Sequence, residues 1–257
     1  MTYFDAAVLG IVQGLTEFLP VSSSGHLVLA EALLQVKKPG VTLEVIAHLG
    51  TLVAVIIYFW RQLWHLLKAV FNRAMARERA LILYLIIGTI PAGLAGILLK
   101  DFFEKTFSNP VETSIELIIT GLILLVPRFF RKGASLVALP SALVMGIGQA
   151  ISILPGISRS GTTIVSGMLM KVEPALAAEF SFLLSIPAIG GAILLELNYL
   201  LEMESQVVGQ YLFAAFFSFI FGLISVYWVL ASVKKGKFEY FAYYCFAAGL
   251  LGLYLFR

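Results

Sequence analysis

The chain has 257 residues, of which 60% are hydrophobic and 13% charged, with a net charge of +3 and a mean hydropathy of +0.96. Such apolar content excludes a soluble domain of this length and places the chain in a bilayer. The small net charge gives no reason to expect a nucleic-acid partner, and the single Cys245, unable to form an intramolecular disulfide, reads as lipid-facing or core filler.

The first apolar segment, about residues 2–36, carries Asp5 and no basic region at its start, so it is expected to be retained rather than cleaved as a leader. It is split into two half-length pieces by Pro20 and the cluster Ser22, Ser23, Ser24 and Gly25. A break of this kind frees backbone groups that lipid cannot satisfy, so it survives only where protein or trapped water surrounds it. A re-entrant helical hairpin is therefore predicted. Three spans follow, over roughly 43–60, 81–99 and 112–130, each near the ~20 residues that a hydrocarbon core requires. A second broken segment, roughly 136–171, is divided by Pro155 and by Ser158, Arg159, Ser160 and Gly161, and a second re-entrant hairpin is predicted there. An ordinary span within it, over about 137–154, is the alternative. Spans over roughly 175–196, 208–232 and 239–256 complete the chain.

The two broken segments echo each other. Gly10, Gln13, Ser22, Ser24 and Gly25 recur as Gly146, Gln149, Ser158, Ser160 and Gly161 at an offset of 136, while Pro20, Pro39 and Glu44 recur as Pro155, Pro174 and Glu179 at an offset of 135. The expected fold class is an all-α integral membrane protein: six transmembrane helices plus two re-entrant hairpins, in two inverted-topology repeats over residues 1–134 and 135–257 of one membrane domain. Three spans per half is an odd number, so the second half must lie upside down relative to the first. Loop charges support that arrangement. Arg61, Lys68, Arg73, Arg77 and Arg79 share one loop, Arg128, Arg131 and Lys132 another, and Lys234, Lys235 and Lys237 a third. Between them lie Lys100, Asp101, Glu104 and Lys105, or Glu196, Glu202 and Glu204. The positive-inside rule then puts both termini outside, with the first hairpin dipping from outside and the second from the cytoplasm. The segment from Lys68 to Arg79 also reads as a contact for anionic membrane lipids, with His65 solvated beside it.

The polar residues of the hairpins need a reason. They are Gln13, Glu17, Ser22, Ser23, Ser24 and His26 in one, and Gln149, Ser152, Ser158, Arg159, Ser160, Thr162 and Thr163 in the other. An ionisable group at mid-bilayer costs about 2.5–3.5 kcal/mol, which marks Glu17 and Arg159 as functional. A Glu17–Arg159 ion pair that merely locks the hairpins together is the plainer reading, but a lock has no use for two hydroxyl-rich turns and a histidine. Small residues just after a break expose N–H groups at the start of the next half-helix, a setting that favours phosphate. Arg159 offers bidentate donors to the same oxygens. A carboxylate there needs a divalent cation between itself and the anion, or acts as a base. Serines 22 to 24 beside His26 permit nucleophilic or acid–base work on phosphorus. His48, one turn after Glu44, reads as a structural hydrogen-bonding group, Glu44 and Glu179 as repeat-equivalent carboxylates facing the interior, and Glu116 as a pairing group in the bundle.

Gln13 and Glu17 running into Pro20, Val21, Ser22, Ser23, Gly25 and His26 resemble an (E/Q)xxxE element followed by PVSSxGH; Pro155, Gly156, Ser158, Arg159, Ser160 and Thr163 resemble PGxSRSxxT. These are signatures of the bacterial undecaprenyl-diphosphate phosphatases, also called bacitracin-resistance proteins, and the likeness runs nearly the whole chain. The resemblance implies an enzyme of the bacterial inner (cytoplasmic) membrane that removes the terminal phosphate of undecaprenyl pyrophosphate and so recycles the lipid carrier for peptidoglycan synthesis. It further implies a divalent cation, Mg2+ or Ca2+, a pocket open to the outer face, and a homodimer. Carried onto this sequence, it makes Glu17, Ser23, His26 and Arg159 catalytic, with Ser23 as nucleophile or phosphate ligand and His26 as its acid–base partner. Gln13, Ser22, Ser24, Gly25, Ser158, Ser160, Gly161, Thr162 and Thr163 would bind substrate, and Glu17 with Gln13 would hold the metal. Because Gln13 stands where the signature admits Glu, Glu17 is the only carboxylate of that element. A transporter or flippase for a phosphorylated lipid or anion, built on the same inverted repeats, is the second reading. A phosphatase of the PAP2 type is excluded, because Val165 stands where its second motif, SRxxxxxHxxxD, needs the nucleophilic histidine.

Overall fold

The computed structural model describes residues 1–36, 41–98, 109–130, 133–154, 156–195 and 205–257. Pro39 and Pro155 of the echo lie outside the described residues, as do the loop charges Lys100, Asp101, Glu104, Lys105, Arg131, Lys132, Glu196, Glu202 and Glu204.

Helix α1 (Tyr3–Phe18) starts on a reciprocal cap in which Thr2 and Asp5 satisfy each other's backbone N–H. It stops at Pro20, and α2 (Ser23–Leu34) begins after a short turn. The chain continues through α3 (Val41–Tyr58), α4 (Trp60–Phe71), α5 (Ala76–Leu98) and α6 (Pro110–Leu125), which ends in a 3-10 turn at Val126–Phe129. The second broken pair is α7 (Leu139–Ile151) and α8 (Arg159–Leu169), followed by α9 (Pro174–Leu195), α10 (Ser205–Lys234) and α11 (Tyr240–Phe256). Among the described residues all regular structure is helical apart from an isolated bridge between Ser135 and Val172, which closes the base of the α7–α8 pair.

Among the described residues, four helices are long and apolar enough to cross a membrane: α5, α6 with its 3-10 turn, α9 and α10. Helix α3 meets that test only together with α4, and the two are bent by 77°. The span expected over 239–256 falls on α11, which at 17 residues is about 25 Å long.

The structure corrects the sequence reading at α4. Arg61, His65 and Lys68 lie on a helix rather than in a loop, and α5 begins at Ala76 with Arg77 and Arg79 in its first turn. Trp60, Trp64, Leu67 and Phe71 recur at helical spacing and form an exposed apolar stripe, with Arg61 over the Trp60 ring and Lys68 over the Trp64 ring. The flanking charges hid this amphipathic element from a search for uniformly apolar runs.

Each broken pair packs against the opposite half of the chain. Helix α1 lies along α10 and α7 along α5, while α6 packs on α11 and α3 on α9. Two repeat-equivalent glycines permit close helix approaches: a side chain at Gly10 would run into the Ala214 backbone, and one at Gly146 into that of Gly88. Ser225 and Ser218 of α10 donate to Gly14 O at 2.9 Å and Ala47 O at 2.7 Å, tying α10 to α1 and α3. The largest buried cluster, including Phe18, Val21, Val55, Ile164, Phe182 and Val226, surrounds the two breaks. Cys245 is buried in it, which settles its reading as core filler.

Candidate active site

Backbone groups freed by the breaks find partners across the fold. Leu19 O accepts from Ser160 Oγ at 3.0 Å, and Pro20 O faces Cys245 Sγ at 3.8 Å. At the other break Thr120 of α6 donates to Gly156 O at 2.7 Å and accepts from Ser158 N at 3.0 Å. Leu19 O also accepts from Val21 N at 2.7 Å, the other three groups gain their partner here, and each tip is fixed by residues from elsewhere in the chain.

The helices that follow the breaks begin alike. Ser22 caps α2 by accepting from Gly25 N at 3.2 Å, and Ser158 caps α8 by accepting from Gly161 N at 3.1 Å. The Ser22–Ser24 and Ser158–Ser160 hydroxyl pairs both stand 3.3 Å apart. His26 Nδ1 donates to Ser22 O and Thr162 Oγ1 to Ser158 O, both at 2.7 Å. The sequence echo is thus a repeated hydrogen-bonding device. Ser22 alone departs, holding a positive φ of 69° that a non-glycine residue adopts only where its surroundings over-determine it.

The repeats differ at one carboxylate. Glu17, only 6% exposed, receives Arg159 Nη2 on Oε1 at 2.7 Å. Its Oε2 accepts from Ser23 Oγ at 2.7 Å and from Gln13 Nε2 at 2.9 Å, and His48 Nε2 stands 3.4 Å away. Position 153, the counterpart of 17, is Ile153, and the buried amide of Gln149 has no hydrogen-bond partner among the described residues. Only the first of the two repeats therefore holds a carboxylate at this point. Arg159 counters it, and its Nη1 also donates to Ser181 O at 3.3 Å. Two of the five guanidinium donors are thus engaged in fixing the fork.

Several expected residues converge here. Gln13, Glu17, Ser23 and Arg159 share one carboxylate, so the Ser23 hydroxyl and the guanidinium lie within about 8 Å, two hydrogen bonds and a carboxylate width. Ser22, Ser24 and Gly25 form the first turn above them, and Ser158, Ser160 and Gly161 the second. His26, expected as the partner of Ser23, instead accepts from or donates to Tyr244 OH through Nε2 at 2.9 Å and stacks on that ring. The group on the Ser23 hydroxyl is Glu17. Thr163, expected in the phosphate cradle, is fully buried and joins α8 to α9 through Ser181 Oγ at 2.6 Å. Thr162 also turns back onto its own helix.

His48 and Tyr244 are the residues that sequence reasoning passed over. The structural role assigned to His48 holds for one nitrogen, since Nδ1 donates to Glu44 O at 2.7 Å, but Nε2 faces Glu17. The signal was its place one turn after Glu44 on a buried face. Tyr244 stands on the last helix in a run of aromatics and carried no motif.

Chemically, Ser23 and Glu17 form a hydroxyl–carboxylate pair at proton-transfer distance, and Arg159 supplies a fixed positive charge. The starts of α2 and α8 add N–H groups that precede the first intrahelical bonds. Among the described residues no three His, Cys, Asp or Glu side chains gather closely enough to hold a metal. Gln13 Oε1, however, is buried beside Glu17 without a hydrogen-bond partner among the described residues. These two oxygens fit a hard cation that keeps most of its shell on phosphate and water.

The sequence matches the bacitracin resistance protein BacA family over residues 6–251. It is 40% identical to undecaprenyl-diphosphatase 4 of Bacillus thuringiensis subsp. konkukian, covering 99% of this chain and 98% of that protein. The undecaprenyl-diphosphatases of Desulfatibacillum aliphaticivorans and Halothermothrix orenii are each 38% identical, covering 97% and 98% of this chain and 97% of each relative.

Proposed function

The chain belongs to the bacitracin resistance protein BacA family, and we propose from that membership that it is a membrane phosphatase hydrolysing undecaprenyl pyrophosphate to undecaprenyl phosphate and inorganic phosphate. The observation that carries this reading is the meeting of Ser23 and Arg159, from opposite tips, on the carboxylate of Glu17. No feature of the site favours the transporter reading.

In the reaction Glu17 Oε2 accepts the Ser23 proton as Oγ forms a bond to the terminal phosphorus. The bond from that phosphorus to the bridging oxygen breaks, and undecaprenyl phosphate leaves with the bridging oxygen. Water then cleaves the phosphoserine, inorganic phosphate is released, and the proton returns to Ser23. Direct attack by a water oriented on Glu17 uses the same groups. Arg159 counters the charge that grows on the phosphoryl oxygens. A divalent cation, Mg2+ or Ca2+, held by Glu17 with Gln13, supplies charge neutralisation to the pyrophosphate when bound. Ser22, Ser24, Gly25, Ser158, Ser160 and Gly161 shape the cradle, and His26 with Tyr244 borders it.

The two broken pairs act as re-entrant hairpins of an inverted repeat. Reciprocal packing of α1 on α10 and α7 on α5 supports this, as a two-fold relation between the halves requires it. Both termini lie outside, the site opens to the outer face of the cytoplasmic membrane, and the protein works as a homodimer. Phosphate release by purified protein, with and without EDTA, tests the function. Release of one phosphate per lipid, abolished by EDTA, is expected; movement of the intact pyrophosphate across vesicles without hydrolysis would overturn it.

A further inference from the structure

We infer that His48 is a ligand of the divalent cation, completing with Glu17 and Gln13 a site in which the imidazole Nε2 binds the ion directly. The inference rests on the phosphatase reading for the presence of a cation, and on geometry for the ligand. His48 Nδ1 donates to the backbone carbonyl of Glu44 at 2.7 Å, which leaves Nε2, the nitrogen free to carry either a proton or a metal ion, facing Glu17 Oε2 at 3.4 Å. Two lone pairs facing each other repel unless a proton or a metal ion lies between them, and a bound divalent cation takes the place of the proton. Ligands about 2.1 Å from one ion, at angles between octahedral and tetrahedral, stand about 3.0–3.4 Å apart. The observed separation matches that spacing.

Two further observations point the same way. Metal-bound histidines hold their other ring nitrogen by donating to a carbonyl or carboxylate, which is the contact that Nδ1 makes. Gln13, whose Nε2 donates to Glu17, leaves Oε1 buried and without a hydrogen-bond partner among the described residues, so an acceptor waits in the same region. Arg159 binds the other carboxylate oxygen, Oε1, so a cation beside His48 would meet Oε2, competing there with the Ser23 and Gln13 donors. Imidazole is a softer ligand than carboxylate or amide oxygen, so such a site holds Mn2+ or Co2+ more tightly than an all-oxygen site would.

The test uses the full-length protein in detergent, with Mn2+ and methylenediphosphonate, a pyrophosphate mimic whose bridge is not hydrolysed. Electron spin-echo modulation reports directly bound imidazole nitrogen, and loss of the free-ion signal gives affinity. The parent protein is expected to show nitrogen coupling, which His48→Gln abolishes while weakening Mn2+ binding about tenfold or more and Ca2+ binding less. His26→Gln is expected to keep the coupling. No coupling in the parent overturns the proposal even if the variant fails to fold; so does coupling that survives His48→Gln. Phosphate release from undecaprenyl pyrophosphate by the same protein preparation with Mn2+ and without the diphosphonate separates the two readings, because nitrogen coupling without hydrolysis sinks the phosphatase and keeps His48 as a ligand, and hydrolysis without coupling does the reverse.

Discussion

Glu17 and Arg159 meet at 2.7 Å across two helix breaks, 142 positions apart in the chain. The contact explains why each charge is tolerated in an apolar bundle: either one alone would lose its fixed opposite charge and keep only the neighbouring hydrogen bonds, and truncating one partner of such a pair is far more costly than the pair is worth. It also fixes the guanidinium beside the Ser23 hydroxyl through their common carboxylate.

Arg159→Ala is therefore expected to lower phosphate release by about 10²–10³, some 3–4 kcal/mol of transition-state stabilisation, the scale seen when one charge-stabilising donor is removed. Arg159→Lys should recover only part of that loss, since an ammonium cannot reach Glu17, Ser181 and a phosphoryl oxygen with one planar fork. Steady-state kinetics on the lipid pyrophosphate check both. Full activity in the lysine variant would show that charge alone suffices.

Glu17→Gln should damage the enzyme more than Gln13→Ala, because only the first removes the acceptor of the Ser23 proton and the counter-charge of Arg159. Ser23→Ala should be as severe as Glu17→Gln if the serine is the nucleophile, and milder if water is. Comparing the three rates in one assay separates these cases. Activity of Glu17→Gln within a few-fold of the parent would remove the carboxylate from the chemistry.

The breaks, their serine caps and the pairing of the two tips were legible because each leaves a local mark: a proline, a cluster of small hydroxyl residues, and its repeat. The direction of individual side chains was not. His26 and the serines adjoin in sequence, yet the helix turns the imidazole toward Tyr244, 218 positions away, while Ser23 turns toward Glu17 on the preceding helix. Contacts of that range depend on how helices cross, which no local pattern encodes. Helix α4 was missed for a different reason, since an amphipathic helix carrying Arg61 and Lys68 has too much charge to pass as a span.

Thr120→Val keeps the volume of a fully buried side chain but removes its hydroxyl, leaving Gly156 O without its donor and Ser158 N without its acceptor. A loss of about 1–3 kcal/mol is expected for such unsatisfied buried groups. It should appear as a lower melting midpoint in detergent, together with reduced activity, because the same turn sets the start of α8 and hence Arg159. Thr120→Ser should restore both. A valine variant that melts like the parent would show that water fills the gap.

Topology gives the last prediction. The basic residues Arg77 and Lys235 are expected to face the cytoplasm, and Met1 and Arg257 the outside, because an odd number of crossings per repeat inverts the second half. Single cysteines at these positions, in a Cys245→Ala background, can be probed with an impermeant thiol reagent on intact cells. The background is chemically mild: Cys245 is fully buried, so its removal deletes one weak contact to Pro20 O and exposes no new thiol. Positions 1 and 257 should label from outside, and 77 and 235 only after permeabilisation. The α4 stripe adds an internal control, since Trp60, Trp64, Leu67 and Phe71 are expected at the same leaflet as Arg77, and a cysteine in place of exposed Arg61 should then follow position 77. Labelling of position 77 from outside would reverse the assignment of both hairpins. The carboxylate site would then open toward the cytoplasm.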